Sequence, residues 1–279
     1  MLIIPLMVLG STGLHVILSP SLSLDNIPSV ASNYEPDYED LDRYMRIPAI
    51  FSGGLEIAFG NSKLFVNMDL RQEFSDYLMG DWLSNLPLST TSFLPAVDMN
   101  FPRLGYFEWR GSNSFISLGR RKLGLGLSTY SFVLSNYLPY FDHLWVELNG
   151  QAKSGEYIYD FFAVSADRTI SGGPKTLLGH RFCYMNDNLK VAFGEENLVY
   201  GAYPDLQDLG PFLIYHHTYQ SNSNVTATLS AEVKLSEVIA YGEFTLDDFR
   251  LASEGEYSNP TAFGWVAGFL WRISDGKPY

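Results

Sequence analysis

The residues of this chain best suited to chemistry come as adjacent pairs: Arg120-Arg121, His180-Arg181, Glu195-Glu196, His216-His217 and Asp247-Asp248, with Asp142 and Glu243 standing singly. Two carboxylates can divide acid and base roles in glycoside hydrolysis, and two imidazoles can hold a transition metal. Both tasks require the paired side chains to converge on one point. Neighbours on an extended strand point to opposite faces, so a strand would separate His216 from His217 and Glu195 from Glu196. In that setting neither a metal site nor a two-carboxylate catalytic site is expected. For Arg120, Arg121, Asp142, His180, Arg181, Glu195, Glu243, Asp247 and Asp248 two roles are left: a charge network along a polar lumen, or direct contact with a ligand. Arginine suits both, because its planar fork grips a carboxylate through two parallel hydrogen bonds. The arrangement expected is that Arg120 and Arg121 end a strand and one of them pairs with a carboxylate inside the lumen. Glu243, Asp247 or Asp248 could approach Arg120 or Arg181 from neighbouring strands.

Other routes to catalysis find little here. Gly119 to Gly126 mixes glycines with Arg120, Arg121 and Lys122, but no G-K-[ST] closes it as a phosphate loop. G-x-S-x-G and H-E-x-x-H are also missing. The single cysteine, Cys183, rules out an internal disulfide framework and a thiolate metal cage. No catalytic residue, metal or cofactor is expected. A net charge of −13 argues against nucleic acid, which needs clustered bases.

The elements that must position these residues are strands. Leu55, Ile57 and Phe59 alternate with Glu56, Ala58 and Gly60, and Leu64, Val66, Met68 and Leu70 with Phe65, Asn67, Asp69 and Arg71. The turn Gly60-Asn61-Ser62 joins them as a hairpin. Similar patterning recurs in Leu104–Arg110, Ser114–Arg121, Leu144–Asn149, Tyr157–Ser165, Leu189–Glu195, Phe212–His217, Val225–Lys234, Ile239–Glu243 and Phe263–Ile273, giving about a dozen strands. Asp76–Asn100 is too long for a hairpin turn and reads as an extended loop or plug, and Gly201–Gly210 as a shorter loop.

One oily and one wet face suit either a soluble sandwich or a membrane barrel. The aromatic content (18 Tyr, 19 Phe and 5 Trp) favours the barrel, because Trp265, Phe269 and Trp271 with Tyr106, Phe107 and Trp109 stand near strand ends, as interfacial girdles do. No stretch reaches the roughly eighteen unbroken apolar residues of a spanning helix, so any membrane crossing is by strands. Residues 1–24 read as a signal-like apolar segment that lacks a basic n-region and an evident A-x-A site. Residues 25–48 read as an acidic, Tyr-rich lead-in, and 49–279 as an antiparallel transmembrane β-barrel domain.

Five stretches in order carry a family resemblance: Ser117-Leu118-Gly119-Arg120 leading to Leu134–Asp142; Gly179-His180-Arg181-Phe182; Leu189–Gly201 with its Glu195-Glu196 and Tyr200-Gly201; Pro211–His216; and Tyr241-Gly242-Glu243-Phe244-Thr245-Leu246-Asp247-Asp248-Phe249. Over residues 100–250 the chain resembles the Wzi-like capsule-assembly family of outer-membrane proteins. The resemblance implies a non-catalytic outer-membrane barrel that binds capsular or other surface polysaccharide, with outer-membrane lipid as a further partner; the oligomeric state stays open, with a monomer favoured. The family's barrels are larger than the dozen strands counted here, and Ser274–Tyr279 lacks a terminal aromatic strand, so the expectation is either a barrel shortened at its C-terminus or a smaller relative of the family. The alternatives are a porin or polysaccharide-export channel, and a soluble β-rich glycan-processing enzyme.

Overall fold

Two-residue periodicity decides both where the strands lie and which way they face. In the computed structural model the described residues are 2–7, 12–20, 49–72, 95–97, 104–128, 131–135, 140–168, 172–205, 208–210, 215, 222–248 and 262–271. They form β1 (Leu2–Met7), β2 (Thr12–Pro20), β3 (Phe51–Phe59), β4 (Ser62–Gln72), β5 (Pro95–Val97), β6 (Leu104–Arg110), β7 (Ser114–Arg121), β8 (Phe141–Ala152), β9 (Gly155–Arg168), β10 (Pro174–Met185), β11 (Leu189–Tyr200), β12 (Ser223–Leu235), β13 (Val238–Asp248) and β14 (Ala262–Trp271). The fold is all-β and antiparallel, and sheet order follows chain order except that β5 pairs to the side of β4. The chain divides into two units, Met1–Phe107 and Glu108–Tyr279, with β6 running through the division.

In the first unit the segment read as signal-like forms strands β1 and β2, and β2 pairs with β3. The β3–β4 hairpin turns at Gly60-Asn61 as expected, with Gly60 at φ +55°, where the missing Cβ relieves the clash. Its polar face holds a tight network. Ser52 donates to Asp69 at 2.5 Å, Asn67 donates to Ser52 at 3.0 Å, and Arg71 donates to Asp69 through Nε at 3.1 Å and Nη2 at 2.8 Å. The opposite face leaves Leu55, Phe59, Leu64 and Met68 exposed. The acidic lead-in and most of the expected Asp76–Asn100 plug lie outside the described residues; Pro95–Val97 forms β5.

The second unit is a meander in which directly opposed residues form rows across the sheet. One row runs Leu148, Tyr159, Phe182, Phe193, Leu229, Phe244, Trp265 from β8 to β14. The adjacent row, on the other face, runs Glu147, Asp160, Arg181, Gly194, Thr228, Thr245, Gly264. Exposure inverts the soluble pattern. Apart from Tyr159, the apolar row is 43–70% exposed, whereas Asp160 and Thr228 of the polar row are 0% and 3% exposed.

Connections in this unit also alternate. Short turns at 111–113, 153–154, 186–188 and 236–237 close one end, and 122–140, 169–173, 201–222 and 249–261 join strands at the other. Two expectations need correction. Tyr215, the one described residue of the expected strand Phe212–His217, lies in a 3₁₀ turn. β10 is a full strand although its alternation is weak.

Candidate functional site

Several buried charges of the second unit lie on the polar face. Arg121, the last residue of β7, donates to Glu108 of β6. Arg181 donates to Asp160 through Nε at 3.0 Å and Nη2 at 2.6 Å, and the indole N–H of Trp145 donates to the same carboxylate at 3.0 Å. Ser117 and His143 are in contact at 2.9 Å (Oγ to Nε2), but Ser117 has no exposed surface, so this pair ties β7 to β8 and offers no nucleophile to a substrate. Glycine makes room for the network: a Cβ at Gly179 would lie 2.1 Å from the ring of Phe162, and one at Gly194 would lie 2.9 Å from the carbonyl oxygen of His180.

Over this face lies an inserted segment, residues 122–128 and 131–135. Its spacing explains its shape: Leu123 and Leu125, interleaved with Gly124 and Gly126, bury their side chains with Val133 and Leu134 against Phe162 and Val164 of β9, and Leu177 of β10 packs on the same cluster. The N–H of Leu125 donates to the carbonyl of Leu134 at 2.8 Å, closing the segment on itself. At Gly126 the two arms touch, since a Cβ there would lie 1.6 Å from Ser131 Oγ.

The polar tip of the segment reaches Glu243 on β13. Ser131 donates to its carboxylate at 2.8 Å, Ser128 donates at 3.3 Å, and the N–H of Phe132 donates as well. Phe132 thus touches β13 while its neighbour Val133 belongs to the cluster on β9. On a flat sheet these strands, four spacings apart, would be roughly 19 Å from each other. The segment therefore bridges strands that are not neighbours in the sheet.

The expected site residues divide between the faces. Arg121, Arg181 and Glu243 lie on the polar face. Arg120 lies on the other, where its Nε donates to Asp142 at 2.8 Å in an exposed pair. His180 and Glu195 also face away from the polar face, with Nε2 of His180 3.5 Å from Oε2 of Glu195. The same oxygen accepts the N–H of Tyr215 at 3.0 Å, and the rings of His180 and Tyr215 stack at 5.0 Å. Burial, reinforced by the negative charges around it, pushes the Tyr215 phenol above its ordinary range. Asp247 accepts from Asn224 at 2.7 Å near the end of β13, and Asp248 ends that strand opposite Ala262. Glu243 approaches neither arginine; its partners are the hydroxyls and amide of the inserted segment.

Sequence reasoning missed Glu108, Asp160, Ser128 and Ser131, and it weighed Glu196 without retaining it as a site residue. Glu108 and Asp160 did carry a signal, each being the only acid within its own expected strand. Glu196 is buried on the polar face with no hydrogen bond to Oε1. His216 and His217 lie outside the described residues. Among the described residues no group of three His, Cys, Asp or Glu side chains is placed to hold a metal ion. Comparisons with protein-family models, curated proteins and solved structures give no match.

Proposed function

We propose that this chain is a bacterial outer-membrane β-barrel, or a large part of one, that binds surface polysaccharide without catalysing a reaction. The observation that carries the membrane reading is the inverted sheet of the second unit, with its apolar row exposed and its charged row buried. In water an exposed row of Leu148, Phe182, Phe193, Leu229, Phe244 and Trp265 would invite association, whereas lipid covers it at no such cost. Longer connections at one end and short turns at the other are the usual arrangement of such barrels, whose long loops face outward.

Non-catalytic binding has two supports. On the polar face Arg121 pairs with Glu108, Arg181 with Asp160 and Glu243 with the inserted segment, and within a barrel that segment would occupy space an export channel needs. The polysaccharide itself rests on the family resemblance, whose stretches fall on β7, β8, β10, β11 and β13 and include Arg120, Asp142, Arg181, Glu195 and Glu243.

Fractionation of expressing Gram-negative cells tests the reading. The protein is expected in the outer-membrane fraction after an alkaline wash, with its mobility on gels changed by boiling, and once solubilised it should be retained by immobilised surface polysaccharide. Release without detergent would overturn the membrane reading. Steady conductance in a planar bilayer with no glycan retention would replace binding by transport.

A further inference from the structure

We infer that the inserted segment is a built-in plug whose catch is Glu243, so that the polar face of the second unit is covered at rest and opens when that one carboxylate is lost. A lumen to be opened belongs to the barrel reading proposed above, whereas the catch stands on contacts within the second unit.

The plug is fastened in two chemically different ways. Its base is the apolar cluster of Leu123, Leu125, Val133 and Leu134 on Phe162. Such contact is non-directional and survives small rearrangements. Its tip is a set of directional bonds to one group. Ser131 Oγ lies 2.8 Å and 3.0 Å from the two carboxylate oxygens, Ser128 Oγ lies 3.3 Å from Oε2, and the Phe132 N–H completes the set. Glu243 is 3% exposed, and a carboxylate that far from water is tolerated only when its lone pairs are occupied. The dependence is mutual, because the same bonds satisfy the hydroxyls and amide of the tip. Removing the carboxylate therefore frees the tip and leaves the base seated, so the plug swings on its cluster while the sheet stays intact. Gly126 permits the close packing of the tip on its catch: a Cβ there would meet Ser131 at 1.6 Å and Glu243 Oε2 at 3.3 Å.

The test compares wild type with Glu243→Ala, Glu243→Gln and the double variant Ser128→Ala/Ser131→Ala, which reaches the catch from the plug side without touching a strand. Hydrogen exchange of the peptide containing Phe132, read in detergent, reports the catch directly. Exchange should quicken by roughly tenfold to a hundredfold in Glu243→Ala, the value of a hydrogen bond to a charged group, and by less in Glu243→Gln. In planar bilayers the wild type should be closed, and Glu243→Ala and the double serine variant should conduct. Folded variants with wild-type exchange would overturn the catch, as would a wild type that conducts as freely as they do. If Glu243→Ala does not fold, the serine variant decides by the same two readings. Altered exchange in a protein that never inserts into bilayers would keep the catch but overturn the opening, together with the barrel reading.

Discussion

Two connections leave the same end of the second unit and cover opposite faces of its sheet. Of their described residues, 122–128 and 131–135 fold onto the polar face and Tyr215 onto the apolar one. Each ends in the same device, a backbone N–H donated to a buried glutamate: Phe132 to Glu243, and Tyr215 to Glu195. The surroundings differ. On the polar face the charge is held by hydroxyls and the weight of the segment by aliphatic packing. On the apolar face the charge lies beside His180, and the cover is a stack of His180 on Tyr215 above Leu178 and Val199. A carboxylate can thus be sited on either side of one sheet, provided that a loop from the same rim brings it a donor and shuts out water.

Breaking each cover in turn sharpens the contrast. The largest effect is expected from Phe162→Ala, which removes the fully buried ring beneath the plug; cavities of this kind cost about 3–5 kcal/mol, read as a lowered urea midpoint in lipid. The hydrogen-bonded cover should respond to pH instead. With its phenol shifted upward, Tyr215 keeps its proton when folded at a pH where an exposed tyrosine loses it. Its contribution is therefore complete below the ordinary tyrosine range and declines as pH rises beyond it. An alkaline transition, followed by phenolate absorbance, should accordingly release the Tyr215 cover, and Tyr215→Phe should abolish it; an unchanged transition in that variant would contradict the assignment. The smallest effect belongs to Arg120→Ala. Its pair with Asp142 is 29% and 54% exposed, and such pairs contribute about 0–1 kcal/mol, so the urea midpoint should hardly move.

The same comparison explains what was legible in the sequence. Strands whose one face is bare, such as β12 with Val225, Ala227, Leu229 and Ala231 set against Thr226, Thr228 and Ser230, announced themselves by alternation. β10 did not, because both of its faces are covered. Leu177 packs on the plug cluster and Leu178 lies under Tyr215, so two apolar residues stand side by side and the period disappears. The separation of His180 from Arg181 and of Glu195 from Glu196 followed from strand geometry alone. The partner of Glu243 did not, since serine hydroxyls and an amide more than a hundred residues away leave no pattern. The fold of the inserted segment was not legible either, because Gly119–Gly126 was weighed only as a phosphate loop after the strand that Arg120 and Arg121 end.

The uneven connections also bear on how such a chain can change. A turn as short as 153–154 or 236–237 fixes the register of two strands, so an inserted residue there would move a whole row of side chains to the wrong face. A connection such as 249–261 carries no such duty. Variation can accumulate at one rim and be refused at the other, and new surface chemistry can be acquired without renegotiating the wall that supports it.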